Sequence, residues 1–287
     1  MTRLAVMTVF LPRENLFFLE EWLYYHLAIG VGHFFLYDNH GSRWLDCGNS
    51  IEVTAKNKRG EEVYRILADR DDSTIERDLH RLLAPFMAKN LVTLVPWQPL
   101  DRAGRITYDQ AGAFLDYVRR FSARSQWTCF TDLDEFVVPV RHDSVSEALD
   151  ELERQGTTFF VLAQKCFASR FDAEGKPARS VLAITRCSDW VTDAFGRKAL
   201  VRSDILKVPW FRRNYSIHIP ATYRRKTKRR RDPELLRFNH YKYNQWEIDW
   251  VAANVGRPLR LDHVDDGMSR FSSRVEAVAG ELGGIGR

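Results

Sequence analysis

Apolar and polar positions along this chain alternate between two periods. "LAVMTVFL", Leu4 to Leu11, is short and apolar except for Thr8, the pattern of a strand covered on both faces. "PREN" turns the chain. Leu16, Leu19, Leu23 and Leu27 then recur at helical spacing as far as Gly30, with Asn15 as the expected cap. "HFFLYDN", His33 to Asn39, reads as a second strand that stops on a polar pair. Strand, helix and strand in this order predict a parallel unit, the opening of a doubly wound α/β fold.

The pattern continues in the same style. Lys56 to Asn90 is charged and helical with a break at Asp69 to Ser73, predicting two short helices or an insertion. "LVTLVPW" predicts a third strand. The helix after it has Thr107 and Gln110 spaced as a capping box and Phe114, Leu115, Val118 and Phe121 as one apolar face. "WTCFTDLDEFVVP", Trp127 to Pro139, reads as one strand with an acidic cluster in it. "DSVSEALDELERQG" predicts a helix capped by Ser144 with Glu147 and stopped at Gly156, and "TTFFVLAQKCF" a further strand. Ala168 to Ala221 mixes short strands and loops. Asn244, Glu247 and Gly256 delimit a last helix, with His240 in the loop ahead of it, and "GELGGIGR" is expected to fray. No internal repeat is present. The expected architecture is a mixed, mostly parallel α/β sheet flanked by helices, with residues 1–140 as a first half ending at the acidic cluster, 141–260 as a second half and 261–287 as a tail.

The acidic cluster asks for an explanation. On an extended strand Asp132 and Asp134 share a face, with Cα atoms roughly 6–7 Å apart and Leu133 opposite. Two such carboxylates raise each other's pKa unless a cation joins them, and a hard divalent ion with oxygen ligands is the usual partner. The plainer reading is a turn cap or an ion pair with some of the 43 lysines and arginines.

Composition narrows the classes. With 287 residues, 45% of them hydrophobic, the chain can bury a full core. Cys47, Cys129, Cys166 and Cys187 form no C-x-x-C pair, which excludes a zinc knuckle and a thioredoxin-like motif. The N-terminal apolar run meets Pro12 and charge without a cleavage site, and no run is long enough to span a bilayer, so a cytoplasmic protein with reduced cysteines is expected. Net charge is a mild +5, yet "RRKTKRRR", Arg224 to Arg231, is basic at all positions but Thr227. Such a run is a solvated loop or attracts anionic lipid, an acidic acceptor or nucleic acid. Aromatic residues do not interleave with it as a stacking platform requires, so no nucleic-acid partner is expected.

In order along the chain, "EN...LEEWLYYHLAIGVGHFFLYDN", "DQAGAFLDYVRRF", "WTCFTDLDEFVVP" and "NHYKYNQWE" together resemble glycosyltransferase family 92 and its bacterial family-2-like relatives, from about Leu4 to Gly256. The last block departs from the family pattern, having "KYNQ" where a Lys-Ser pair usually follows the His-Tyr. The resemblance implies a GT-A fold, a nucleoside diphosphate sugar as donor, most plausibly a UDP-sugar, and Mn²⁺ (or Mg²⁺) held by Asp132 and Asp134. His240 or His218 would be a third ligand, His240 being favoured. Glu14, Asn15, Asp38 and Asn39 at the first strand ends would meet base and ribose, unless Asn15 and Asn39 only cap and turn the chain. Gln110 is capping partner or pocket residue, and Lys198 with Arg202 would meet phosphate or acceptor. Transfer with inversion needs a base: Asp189 and Asp193, near Trp190, are the candidates, with Glu135 a third that is expected instead to turn away and hold the loop. The acceptor is expected to be a glycan or a lipid-linked glycan, with the basic run touching the inner face of a membrane. A metal-dependent enzyme acting on nucleic acid and a non-catalytic nucleotide-binding protein are the rival readings.

Overall fold

The computed structural model describes residues 1–42, 71–171, 178–208, 218, 220–243, 245–255 and 258–283. Cys47, residues 56–70, where the first of two short helices or an insertion was expected, the Asn244 cap, the Gly256 stop and the last four residues of the Gly-rich tail lie outside the described residues. Strand β1 (Thr2–Phe10) is followed by α1 (Pro12–Ala28), β2 (His33–Asp38), α2 (Asp72–Ala88), β3 (Val92–Pro96), α3 (Gln110–Arg120), β4 (Ser125–Phe130) and β5 (Glu135–Pro139). Then come α4 (Val145–Arg154), β6 (Phe159–Ala168), β7 (Arg186–Thr192), β8 (Lys198–Arg202), β9 (Arg229–Arg230), β10 (Leu236–Tyr243), α5 (Gln245–Val255), β11 (His263–Val264) and α6 (Ser272–Glu281).

The main path of the sheet runs β11-β7-β6-β8-β4-β1-β2-β3, while β10 joins β5 to β6 and β9 lies along β6. Strands β4, β1, β2 and β3 are parallel. The sheet as a whole is mixed rather than mostly parallel, because β8 runs against β4 and β6, β7 runs against β6, and β10 runs against β5. Strand β1 shows why its sequence is apolar from Leu4 on apart from Thr8. Leu4, Val6 and Phe10 enter one buried cluster, with α1 and α2, and Ala5, Met7 and Val9 enter another, with α3. Both faces are covered, as a central parallel strand requires.

Four local expectations change. Pro12 occupies the start of α1, where its fixed φ suits the first turn, so the helix begins before Asn15 and that residue sits inside it. Asp109, in the left-handed region at φ 35°, caps α3 by accepting from the Gly112 N–H, and Gln110 is thereby free of capping. The Ser144–Glu147 capping box forms as expected. Within residues 261–283, β11 pairs with β7, and Met268, Phe271, Val275 and Leu282 are buried in the same core as α1. Third, Trp127 to Pro139 is two strands, not one, broken by a turn between β4 and β5. Fourth, His240 lies within β10, opposite Glu135, not in a loop.

Helix α1 holds the second of those strands from the side. Strand β5 pairs with β10 along one edge. Along the other, Trp22 Nε1 donates to the Glu135 carbonyl at 2.9 Å, Tyr25 Oη to the Val137 carbonyl at 2.8 Å, and the Val137 N–H donates to His26 Nε2 at 3.2 Å. Three side chains of "EWLYYH" thus replace a missing strand, which satisfies buried backbone groups. His26 Nδ1 lies 2.8 Å from the Trp22 carbonyl, and burial pushes this imidazole down to about 3, so it is neutral with its proton on Nδ1. Among the described residues no helix is long and apolar enough to cross a membrane.

Candidate active site

At the carboxyl end of β4 the chain leaves the parallel sheet and turns back within four residues. The Glu135 N–H donates to the Asp132 carbonyl at 3.2 Å. The Glu135 carboxylate closes the turn by accepting from the Asp132 N–H and from Thr131 Oγ1, both at 2.9 Å. Arg170, almost fully buried, clamps the outside: it donates to the Leu133 carbonyl at 3.1 Å and to Asn15 Oδ1 at 2.8 Å, with its guanidinium 4.4 Å above the Phe18 ring. The sequence reading missed Arg170, which lies in the stretch of short strands and loops that gave no pattern.

The turn separates the three acids. Asp134, Glu135 and His240 each offer a ligand atom within 4.8 Å of the others. Asp132 falls outside that group. Its Oδ2 accepts from Lys198 Nζ at 2.5 Å and its Oδ1 from Gln110 Nε2 at 2.7 Å. Lys198 is 2% exposed and also stands 3.4 Å from Glu135. Burial alone would discharge this lysine, but Asp132 and Glu135 outweigh it and raise its pKa. Burial raises Glu135 in spite of Lys198, while His240 and Arg170 hold Asp134 below the ordinary carboxylate range against the opposing effect of burial.

His240 is oriented from behind. Gln164, fully buried, donates its amide to the Phe195 carbonyl at 2.7 Å, so its Oε1 accepts, from Tyr243 Oη and from His240 Nδ1, both at 2.9 Å. The Nδ1 proton is thereby fixed, and Nε2 is left facing Asp134 at 3.3 Å and Glu135 at 3.9 Å. An imidazole lone pair aimed at two carboxylates is repulsive unless a proton or a cation lies between them. Two hard oxygen donors and one imidazole, oriented by the Gln164 amide behind it, fit a divalent ion of the Mn²⁺ or Mg²⁺ kind.

The remaining expected residues divide. Asn39 is fully buried and donates to the Trp97 and Thr107 carbonyls at 2.6 and 3.0 Å, so it ties the end of β2 to the segments beyond β3. Asp38 accepts from the His40 N–H at 2.8 Å, and burial raises its pKa. A small cleft lined by Leu11, Pro12, Arg13, Asn39, His40 and Ser42 opens at these strand ends. Asn15 is spent on the Leu11 carbonyl and on Arg170. His218 lies within electrostatic reach of Lys198 and Asp132, and burial and then Lys198 lower its pKa; it is not one of the three grouped ligands. Asp189 is exposed on β7, and Asp193 pairs with Arg231 at 3.1 Å. Arg202 pairs with Asp204 at the far end of β8 from Lys198.

Glu14 is different in kind. It is buried near Asp134, and its Oε1 has no hydrogen-bond partner. Burial pushes its pKa up to about 7, with Arg170 opposing and Asp134 reinforcing. An acid whose pKa rises on folding is neutral in both states below its unfolded value, and its cost grows from there until the folded carboxyl has ionised. Glu14→Gln is therefore expected to change stability little at pH 4.5 and to stabilise the metal-free protein by ~2–3 kcal/mol at pH 8 relative to wild type. Urea unfolding at the two pH values in the presence of chelator measures the difference; an equal effect at both would mean that Glu14 does not titrate across this window.

The sequence profile of glycosyltransferase family 92 matches residues 72–275, well over half of the chain. A glycosyltransferase family 92 protein of Ricinus communis is 23% identical over 234 residues, covering 80% of this chain and 34% of the relative. A galactan beta-1,4-galactosyltransferase of Arabidopsis thaliana is 26% identical over 188 residues, covering 61% of this chain and 34% of its own length. The chain thus spans about a third of each of these relatives. The matched region contains the acidic turn, Lys198 and His240 together, and on that match the chain belongs to glycosyltransferase family 92.

Proposed function

We propose that the protein is a metal-dependent glycosyltransferase of GT-A type that takes a sugar from a nucleoside diphosphate sugar, a UDP-sugar, and passes it with inversion to a glycan or lipid-linked acceptor. The observation that carries this reading is the Asp134, Glu135 and His240 group at the carboxyl end of β4, where an open α/β sheet places its ligands. The name of the Arabidopsis relative supports a hexosyl donor and a glycan acceptor. The cytoplasmic location expected above belongs to the same proposal.

Asp134, Glu135 and His240 would hold Mn²⁺ or Mg²⁺, and the ion would neutralise negative charge on the departing diphosphate. The chain's own residues prepare that place. Glu135 and Arg170 fix the turn, Gln164 fixes the face that His240 presents, and Lys198 keeps Asp132 from adding further uncompensated charge. Lys242, 3.5 Å from Glu247 and held cationic by nearby carboxylates against the effect of burial, adds a positive group for phosphate. Asp189 is the freer of the two proposed bases, because it makes no ion pair among the described residues whereas Asp193 is bound to Arg231.

Calorimetric titration of the purified protein with UDP and GDP, with and without Mn²⁺, tests the reading. One diphosphate is expected to bind only when Mn²⁺ is present. Failure of every nucleotide to bind under any metal condition would remove the transferase assignment of this site.

A further inference from the structure

The basic run is not one uniform surface. Arg230 turns to Asp232 at 2.8 Å and Arg231 to Asp193 at 3.1 Å, so the end of the run is neutralised. Arg224, Arg225, Lys226, Lys228 and Arg229 are exposed and make no ion pair with a described carboxylate. The fold adds a sixth cation from elsewhere. The bridge between Leu206 and Thr222 brings Lys207 beside Tyr223, and Lys207 and Lys226 both hold their ammonium groups 5.9 Å from that ring. Tyr223 is 50% exposed, and exposed Val208 follows Lys207. The whole chain carries a net charge of +5, so these six cations account for all of its excess and the remainder is close to neutral.

We infer that this patch docks on an anionic lipid surface. Clustered exposed cations supply the electrostatic attraction, and a tyrosine with a neighbouring valine supplies the amphipathic contact suited to the headgroup level. Among the described residues the patch has one exposed aromatic ring, Tyr223, whereas binding to single-stranded nucleic acid calls for several along a groove. Its position fits docking as well. Strand β9 lies beside Phe159 and Phe160, and Phe159 pairs with Val201, at the opposite end of β8 from Lys198. The cations therefore lie away from the acidic turn, and a membrane bound there leaves the site open. The inference is independent of the donor chemistry.

Co-sedimentation of the full chain with vesicles of phosphatidylcholine alone, and of phosphatidylcholine with roughly a third phosphatidylserine, tests it. Binding is expected on the anionic vesicles only, and it is expected to weaken with salt. Arg224→Gln, Arg225→Gln and Lys226→Gln together are expected to lower the apparent affinity about a hundredfold, at roughly fivefold for each charge removed. Tyr223→Ala, with the charges intact, is expected to weaken binding without altering its salt dependence. Equal binding to both vesicle types, or full binding by the triple variant with a native circular dichroism spectrum, would overturn the inference. Tighter retention on a single-stranded RNA oligonucleotide than on anionic vesicles would also overturn it and give the patch to nucleic acid.

Discussion

The Asp134→Ala protein is expected to bind Mn²⁺ about a hundredfold or more weakly than wild type and to lose transfer by about 10²–10³-fold. Two reasons combine. Asp134 is one of three groups whose ligand atoms converge within 4.8 Å, and it is the carboxylate nearest His240, at 3.3 Å. Its backbone is fixed separately, because the Asp134 carbonyl accepts from the Tyr241 N–H at 2.9 Å, so removing the side chain is expected to leave the turn in place. Manganese titration followed by electron paramagnetic resonance reads the affinity without requiring turnover. The contrasting variant is Asp132→Asn. If metal is held as proposed, Asn at 132 keeps near-wild-type Mn²⁺ affinity; a loss as large as that of Asp134→Ala would put Asp132 among the ligands and require Lys198 to move away.

Lys198→Met is expected to destabilise the protein by ~3–5 kcal/mol, the second of the two large effects. The methionine nearly matches the lysine in volume but leaves Asp132 and Glu135 without the ammonium that stands 2.5 and 3.4 Å from them, and Glu135 is 1% exposed. Removing one partner of a buried set costs more than removing both, since the remaining charge keeps its desolvation penalty. The double variant Lys198→Met with Asp132→Asn is therefore expected to recover part of the loss. Urea unfolding at neutral pH in the absence of metal is the measurement. A loss below about 1 kcal/mol for Lys198→Met would mean that water, not Lys198, balances these carboxylates.

Much of the frame was legible because it follows local rules. Strand β1 and helix α1 announce themselves by period, and the Ser144 capping box follows from two side chains four positions of chain can satisfy alone. The acidic turn was legible as a place and not as a geometry. "CFTDLDEFVVP" is apolar on both sides, so it reads as one strand; the break arises because β4 pairs with β1 and β8 whereas β5 is claimed by β10. Once the chain turns, alternation no longer decides which carboxylates meet, and Glu135 joins Asp134 where Asp132 was expected. His240 was found as a residue but misplaced in a loop, since "FNHYKY" carries no strand signal apart from its aromatic residues. Gln110 was legible as part of a capping box that Asp109 in fact makes unnecessary. Arg170 and Gln164 had no local signal at all. Their roles come from partners far off in the chain, Asn15 and Leu133 for one, His240 and Phe195 for the other.

Strand β10 enters between β5 and β6, antiparallel to one and parallel to the other. In the growing chain both neighbours are finished long before it arrives. Until then β5 has a bare ladder edge on the side that α1 does not cover, and Asp134 and Glu135 face no imidazole. Loop closure over such a separation is slow compared with local pairing. The Asp134, Glu135 and His240 group is thus complete only once β10 has paired with β5, and the same pairing closes this part of the sheet. A folding intermediate with β10 undocked would keep most of its secondary structure, bind no metal at this place, and offer β5 as an adhesive edge to other chains.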